Sequence, residues 1–217
     1  MTTNLLDTLS REFDGDVVNT IAGTLGEASN KTRTAIEGAL PSLVSGLVNR
    51  ASTIGGAAEL LDFLKRNHFD GSQLTDVASV VSGPEGVSYL IESGSPMIYA
   101  ALGSRTRSVI DWLSSLSGIS KTSVTSILGL AMPIVLGQVG QLVSNSGWNS
   151  SNLMNLLAGQ KNYLRHSAPE LASVVGFGVP VTAANSSNES ASRGLTWWKW
   201  LLPLLGFVLL GYLLSRG

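Results

Sequence analysis

Two stretches of this sequence resemble each other and decide its fold: TRTAIEGALPSLVSGLVNRAS at residues 32–52 and VTSILGLAMPIVLGQVGQLVS at residues 124–144. Apolar residues recur every three or four positions in both stretches, which is the period of an α-helix that buries one face. The two stretches align without a gap, proline on proline. Further along, residues 57–67 and 151–162 match in the same order. The pattern predicts an internal duplication of a helical unit of about ninety residues.

Each copy has a predicted core stripe on its long helix. The stripe residues are Leu40, Leu43 and Leu47 in the first copy, and Met132, Val135 and Val139 in the second. Pro41 and Pro133 lie in mid-helix and predict a kink or break, because proline lacks an N–H and clashes with the preceding turn. No alternating Val, Thr or aromatic run predicts a strand. The predicted fold is therefore all-α, a duplicated multi-helix domain over residues 1–177 with copies at about 5–82 and 104–177.

The ends of the helices can also be predicted. Ser29 or Asn30, and Ser120, are candidate N-caps, because their side chains can accept a bond from a free N–H of the first turn. Turns are expected at Gly55-Gly56 and Ser146-Gly147. Shorter helices are predicted near residues 3–12, 15–25, 57–66, 72–81, 87–102, 105–116, 151–158 and 168–175.

The composition excludes several classes of protein. Of 217 residues, 44% are hydrophobic and only 13% are charged, and the net charge is -1. Such a balance argues against a nucleic-acid-binding protein, which normally carries a basic surplus. With no cysteine, the chain has no disulfide framework, no thiolate metal site and no thiol nucleophile.

Motifs of catalysis are absent from the sequence. There is no GxxxxGK[ST], GxSxG or HExxH element. His68 and His166 follow corresponding segments of the two copies; a shared metal or catalytic pair is conceivable, but solvated helix-end residues are the preferred interpretation. Arg105 and Arg107 could bind lipid phosphate, but a solvated face ending in Asp111 is preferred. We predict no catalytic, cofactor-binding or metal-binding residues, no cofactor and no enzymatic activity.

The C-terminal end has the character of a membrane segment. Residues 197–214, WWKWLLPLLGFVLLGYLL, carry one charge and span about 27 Å as a helix, close to the thickness of a bilayer core. Aromatic residues at both ends suit the headgroup level, and a buried core helix would seldom carry three tryptophans at one end. Residues 178–196 are rich in Ser, Asn and Ala and predict a flexible linker. The predicted anchor residues are Trp197, Trp198, Lys199, Trp200, Pro203 and Tyr212.

Flanking charges predict the orientation of this segment. Arg193 and Lys199 precede most of the apolar run and Arg216 follows it. The positive-inside rule then places the linker and the N-terminal body in the cytoplasm. The N-terminal sequence MTTNLLDTLSREFDG lacks the basic and apolar regions of a signal peptide, which agrees with this orientation.

Two segments of the second half resemble a known family. LSGISKTSVTSILGLAMPIVLGQVGQLV at 116–143 and NLMNLLAGQKNYLRHSAPELASVVG at 152–176 are similar to a bacterial domain-of-unknown-function family, number nine-three-seven, related to the YidB-like helical domains; LLDFLKRNHFDGSQL at 60–74 is similar to its first-copy pattern. The resemblance implies a membrane segment of the WLLPLL type and then, in many members, a periplasmic OmpA-like peptidoglycan-binding domain. Here the sequence stops at Gly217, as expected of a short member or of a truncated chain. The resemblance implies no established activity.

These observations predict a non-enzymatic, tail-anchored, single-pass protein of the bacterial inner membrane. Its helical domain would act as a scaffold or self-assembling interaction module, with the lipid bilayer, copies of itself as a homo-oligomer and other cell-envelope proteins as partners, and no nucleic acid. One alternative is a cell-envelope tether linked to an OmpA-like partner or missing domain. Another is a membrane-active protein that forms a pore through residues 127–143, although Gln138, Gln141 and Pro133 favour a buried helix there.

Overall fold

The computed structural model describes residues 4–70 and 77–167, all of which belong to one compact unit, Met1–Phe177. Within those ranges the regular structure is entirely helical, without a strand, which confirms the predicted all-α class. Ten α-helices follow one another in the described chain: α1 Leu5–Glu12, α2 Gly15–Leu25, α3 Ser29–Arg50, α4 Ile54–Arg66, α5 Val77–Val80, α6 Pro84–Leu102, α7 Thr106–Ser117, α8 Lys121–Asn145, α9 Ser150–Gly159 and α10 Lys161–Ser167. A 3₁₀ turn, Gly103–Arg105, joins α6 to α7.

Several predicted elements lie outside the described residues. They are the helix at 168–175, the linker at 178–196 and the membrane segment at 197–214, with its anchor residues Trp197, Trp198, Lys199, Trp200, Pro203 and Tyr212.

The two long helices, α3 and α8, pack against each other at the centre of the body. All six predicted stripe residues are buried, with no more than 2% of any of them exposed: Leu40, Leu43, Leu47, Met132, Val135 and Val139. Burial extends beyond a stripe, since every residue of Gly38–Val48 and of Ile127–Gly137 is buried. The shorter helices α1, α6, α7 and α9 also contact this pair, so the central turns have no side left for solvent.

Helix α8 has the length and apolar composition of a membrane span, the one helix of the described residues that does. In the folded body, however, 78% of its most apolar window is buried inside the protein. A helix that is apolar all round is suited to the interior of a protein as well as to a bilayer. Here the neighbouring helices take the place of lipid.

Both long helices are continuous through their prolines. Of the kink or break predicted at Pro41 and Pro133, the break is therefore wrong, although each proline removes one helical hydrogen bond. At Pro133 the missing donor leaves the carbonyl of Gly129 without its helical partner. Gly94 of α6 lies directly against that carbonyl: a Cβ atom added to Gly94 would be 1.9 Å from the Gly129 oxygen. The close backbone of α6 thus covers the carbonyl that the proline leaves free, in the manner of a Cα–H···O contact.

The predicted helix ends are partly correct. Ser120 caps α8, with its hydroxyl oxygen 3.0 Å from the backbone nitrogen of Ser123. Helix α3 instead begins after Ala28, ahead of both predicted caps, and this residue makes no side-chain cap bond. The predicted turn at Gly55-Gly56 is wrong, because both glycines lie in the first turn of α4, capped by the Thr53 hydroxyl. The predicted turn at Ser146-Gly147 is confirmed, with a φ of +74° at the glycine.

Two loops at corresponding places in the predicted copies meet each other. The α2–α3 loop starts with Gly26 and the α7–α8 loop with Gly118, and both glycines are left-handed C-caps, with φ of +67° and +69°. That conformation suits glycine, which has no Cβ to clash. The short loops that follow let each long helix turn back across the helix before it.

A charged side chain joins these two loops. The Oε1 atom of Glu27 accepts a hydrogen bond of 2.7 Å from the Ser123 hydroxyl and one of 3.3 Å from the Ser120 backbone N–H. The Lys31 ammonium donates to the carbonyl of Gly118 at 3.2 Å. The Ser123 hydroxyl, followed by the Ser120 N–H, holds the pKa of Glu27 below its ordinary value, because both bonds favour the ionised carboxylate.

The buried side chain of Gln160 links the end of α9 to the beginning of the chain. Its Oε1 atom accepts a hydrogen bond of 3.0 Å from the backbone N–H of Leu5, and only 1% of the residue is exposed. The next two N–H groups of α1, those of Leu6 and Asp7, bond the side chain of Asn4. The free donors at the start of α1 are thus satisfied. Gln160 lies in the segment at 152–176 on which the family resemblance partly rests, and its contacts give that segment a structural role.

Candidate functional site

Helix α6 is held on the core by its smallest residues. Gly94 lies against Gly129 and Pro133 of α8 so closely that a Cβ would be 2.6 Å from the Pro133 Cδ atom. The reverse holds as well, since a Cβ on Gly129 would be 2.8 Å from the Ser95 hydroxyl. Two backbones in such contact leave little freedom for α6 to roll. The face opposite Gly94 is thereby fixed toward the outside.

The outward face of α6 carries a stripe of exposed residues. Glu85, Tyr89, Glu92, Pro96 and Tyr99, here called the α6 stripe, recur at spacings of four and three and so lie along one side of the helix. All five are exposed, and 65% of Tyr89 and 69% of Tyr99 face solvent. Tyrosine rings are enriched in protein interfaces because they join a large apolar surface to a hydroxyl group. The stripe is therefore the strongest candidate for a binding surface on the described body.

A cleft of about 250 Å³ borders the Tyr89 end of the stripe. The turn after α4 forms one wall of this cleft. This turn packs closely against α8, since a Cβ added to Gly140 would be 1.5 Å from the carbonyl oxygen of Phe69. Two polar side chains of the lining already bond backbone carbonyls, Asn67 to Phe63 at 2.8 Å and Ser93 to Leu90 at 3.1 Å. The cleft suits an inserted apolar or aromatic group. Its lining residues are Asn67, His68, Phe69, Val80, Tyr89, Leu90, Ser93, Met97, Pro133 and Gly137.

The predicted histidine pair is only partly described. His68 follows the C-cap of α4, is exposed and adopts a left-handed φ of +55°, which histidine tolerates better than most residues. The solvated helix-end position predicted for it is confirmed. The side chain of His166 lies outside the described residues. Among the side chains that the structure describes, no three His, Asp or Glu residues lie together as a metal site.

A wider groove of about 660 Å³ borders the Tyr99 end of the stripe, and Arg107 and Lys121 are among its lining residues. Arg105 and Arg107 are both exposed, as predicted. The described part of the chain contains two ion pairs, Lys121 with Asp111 and Arg50 with Glu59, and neither Arg105 nor Arg107 belongs to them. Positive charge without an ion-pair partner thus lies just past the end of α6, while Glu85 marks its beginning.

The sequence predicts a helix at 87–102, which α6 confirms, but indicates no role for the surface of this helix. The sequence places Tyr89, Pro96 and Tyr99 on one face of this helix, and the structure shows this face exposed. The opposite face, with Val87, Leu90 and Ile98, is buried. The sequence of α6 does not say which of these two faces points outward. That depends on α8, which lies against Gly94.

Two buried central helices packed against shorter ones define an all-α domain, and the α6 stripe lies on its exposed surface. The chain belongs to the DUF937 family, described as bacterial proteins of unknown function, and the family model matches residues 7–142. The matched region extends from within α1 nearly to the end of α8 and includes the whole of α6. Neither the curated proteins nor the solved structures contain a significant match to the chain.

Proposed function

We propose that this chain is a non-enzymatic scaffold protein, tethered to the bacterial inner membrane, whose helical body is a protein-interaction module. The α6 stripe is the observation that carries the proposal. Two large aromatic side chains are exposed on a helix that is fixed rigidly from behind. Ordered aromatic anchors of this kind give most of the binding energy in protein interfaces.

The tether rests on the sequence of residues 197–214. An apolar run of this length, with tryptophans at one end and a tyrosine near the other, is typical of a single membrane span. Arg193 and Lys199 outnumber Arg216, so we propose that the body lies in the cytoplasm.

The burial of α8 favours a scaffold over a pore. A pore built from residues 127–143 would require this helix to leave the core, and its central turns contact helices on every side. Removing it would expose the buried apolar face of α3, including Leu43, to water. Exposing each such side chain costs about 1.5–3 kcal/mol, so the folded body opposes insertion.

We also propose that the body arose by duplication of a three-helix unit. Helices α2–α3–α4 and α7–α8–α9 share an order of short, long and short helices. Both long helices contain an interior proline, and both follow a left-handed glycine. The two corresponding loops also meet through Glu27. A single copy buries too small a core to be stable alone, which explains why the copies share one core.

Fractionation of cells that express the full chain tests the tether. We expect the protein to stay with membranes after carbonate extraction, and Leu205→Arg to weaken insertion by about 3 kcal/mol. Leu116→Arg is the control, because this residue lies half exposed on the body and should leave partitioning unchanged. If the Leu205 variant remains fully membrane-bound, the terminal segment is not the anchor.

A photo-crosslinking amino acid placed at Tyr89 tests the interaction module in intact membranes. The same group at Ile54, which is 71% exposed in the first turn of α4 and is not part of the α6 stripe, is the matched control. We expect crosslinks to protein from position 89 and none from position 54. A position 89 that captures only lipid or water would refute the module.

A further inference from the structure

We propose that the α6 stripe binds the α6 stripe of a second copy of this chain, with the two helices antiparallel about a two-fold axis at the level of Gly94. The inference rests on the proposed function and names the partner of that surface. Three features of α6 carry it: the symmetric placement of the stripe residues, the distribution of charge along the helix and the hollows beside the two tyrosines.

The stripe residues are placed symmetrically about Gly94. Tyr89 and Tyr99 each lie five residues from it, and Glu92 and Pro96 each lie two residues from it. At about 100° per residue, the two tyrosines also fall at equal angles on opposite sides of the midline of the stripe. A two-fold axis between the two helices at this level therefore brings Tyr89 of one copy to the same height as Tyr99 of the other, diagonally across the contact, twice. A surface that matches itself in this way is what a two-fold dimer requires.

Charge selects the antiparallel arrangement. In a parallel pairing Glu85 would meet Glu85, Glu92 would meet Glu92 and Arg105 would meet Arg105, which places like charges together. In the antiparallel pairing Glu85 lies opposite Gly103, the residue that begins the 3₁₀ turn carrying Arg105. Arg107 follows in the first turn of α7. Complementary charges at both ends of the contact fix the register of such an interface.

The charged groups around the stripe leave these residues available. Glu85, Glu92, Arg105 and Arg107 take part in neither ion pair of the described residues. The nearby Asp111 and Lys121 are paired with each other, and Arg50 bonds Glu59 and the carbonyl of Ala100. The four available charges thus divide into acidic residues on the first two thirds of α6 and basic residues just past its end.

Each tyrosine of the stripe lies beside a hollow that its counterpart could fill. The groove of about 660 Å³ borders Tyr99, and the cleft of about 250 Å³ borders Tyr89. In the antiparallel pairing, Tyr89 of one copy faces the groove of the other, while Tyr99 faces the cleft. Aromatic side chains seated in pockets are typical anchors of an interface. Chains held on one membrane would also meet at a raised effective concentration.

Charge exchange in the full chain, purified in detergent micelles, tests the pairing. We expect the wild-type protein to be a dimer by sedimentation equilibrium. Glu85→Arg alone, and Arg105→Glu together with Arg107→Glu, should each raise the dimer dissociation constant at least about tenfold, because like charges then face each other. The variant with all three substitutions should have a dimer dissociation constant within about threefold of the wild-type value. Since these residues are exposed, far-ultraviolet circular dichroism should show unchanged helicity in every variant.

Three results would overturn the inference: a monomeric wild-type chain, a dimer that resists both half-exchanges, or a combined variant that stays dissociated. The crosslinker at Tyr89 gives an independent readout, since mass spectrometry should find it joined to the peptide of this chain that contains Tyr99. Crosslinks from position 89 to a different protein would refute pairing of two copies while leaving the interaction module in place. Loss of membrane association in Leu205→Arg bears only on the tether.

Discussion

Replacing Gly94 by alanine tests whether α6 is held against α8 as closely as the structure indicates. The new Cβ would lie 1.9 Å from the carbonyl oxygen of Gly129 and 2.6 Å from the Cδ of Pro133. Neither obstacle is the end of a flexible side chain. The two helices must therefore move apart by about 1 Å, and a gap of that size forfeits roughly a quarter to a half of each van der Waals contact it opens.

The expected cost follows from two opposing terms. Overpacking of a core contact typically costs about 1–3 kcal/mol, and a backbone obstacle places Gly94→Ala at the upper end or beyond. Alanine regains up to about 1 kcal/mol of helix propensity. We expect a net loss of about 3 kcal/mol in the free energy of unfolding. In a domain of this size such a loss lowers the thermal midpoint by about 6–12 °C.

Gly23→Ala is the matched control, because this glycine lies exposed within α2 and an added Cβ meets nothing within 4 Å. It should gain up to about 1 kcal/mol from helix propensity alone. Both variants are compared with the parent chain by denaturant unfolding, followed by circular dichroism at 222 nm. A Gly94→Ala variant within about 0.5 kcal/mol of its parent would refute the close packing, and with it the fixed outward face of α6.

Three further predictions concern the core and its hydrogen bonds. Leu43→Ala removes a fully buried side chain between the long helices and should cost about 2–5 kcal/mol of unfolding free energy in the same assay. The control Leu116→Ala, at a residue that is 45% exposed, should cost well under half as much. Equal losses in the two variants would contradict the central position of α3. The pKa of Glu27 is lowered in the folded state, so its stabilising effect is present above the unfolded pKa and is lost as the pH falls through the folded pKa. Glu27→Gln should therefore flatten the acid side of a profile of unfolding free energy against pH. An unchanged profile would contradict the hydrogen bond from Ser123. Gln160→Ala leaves the buried N–H of Leu5 without its acceptor and should lower the free energy of unfolding by about 1–3 kcal/mol. Amide hydrogen exchange at the start of α1 should become faster. Unaltered exchange there would show that this hydrogen bond does not hold the helix.

Periodicity was sufficient to predict the all-helical class of the body and the buried stripes of its two long helices, but not the full environment of those helices. Because apolar spacing reports a buried face, Leu43 and Val135 were correctly placed in the core. Spacing does not report how many neighbours surround a helix, so burial on all sides of α3 and α8 was not anticipated. The alternative of a break at Pro41 is wrong for a related reason: a proline breaks an isolated helix, whereas tertiary packing can keep the helix continuous around it.

The candidate site was harder to predict because it depends on contacts between distant segments. Tyr89 and Tyr99 have the same spacing whether they are buried or exposed. Their exposure follows from Gly94 facing Gly129, and the sequence of α6 alone does not reveal that contact. The start of α3 was missed for a local reason, since Ala28 supplies backbone geometry without the side-chain signal on which cap prediction relies.

The hydrogen bond between Leu5 and Gln160 has a consequence for how this protein is made. A ribosome adds about 5–20 residues each second, so the acceptor of the Leu5 N–H is synthesised roughly 8–30 seconds after its donor. During that interval α3 also lacks α8, and its apolar turns stay uncovered on the nascent chain. The first half of the body thus passes through a period in which it can bind chaperones or aggregate, and its folding should depend on the rate of translation through α8 and α9. Synonymous codons that slow this region should lengthen the vulnerable period without altering a single contact of the finished molecule.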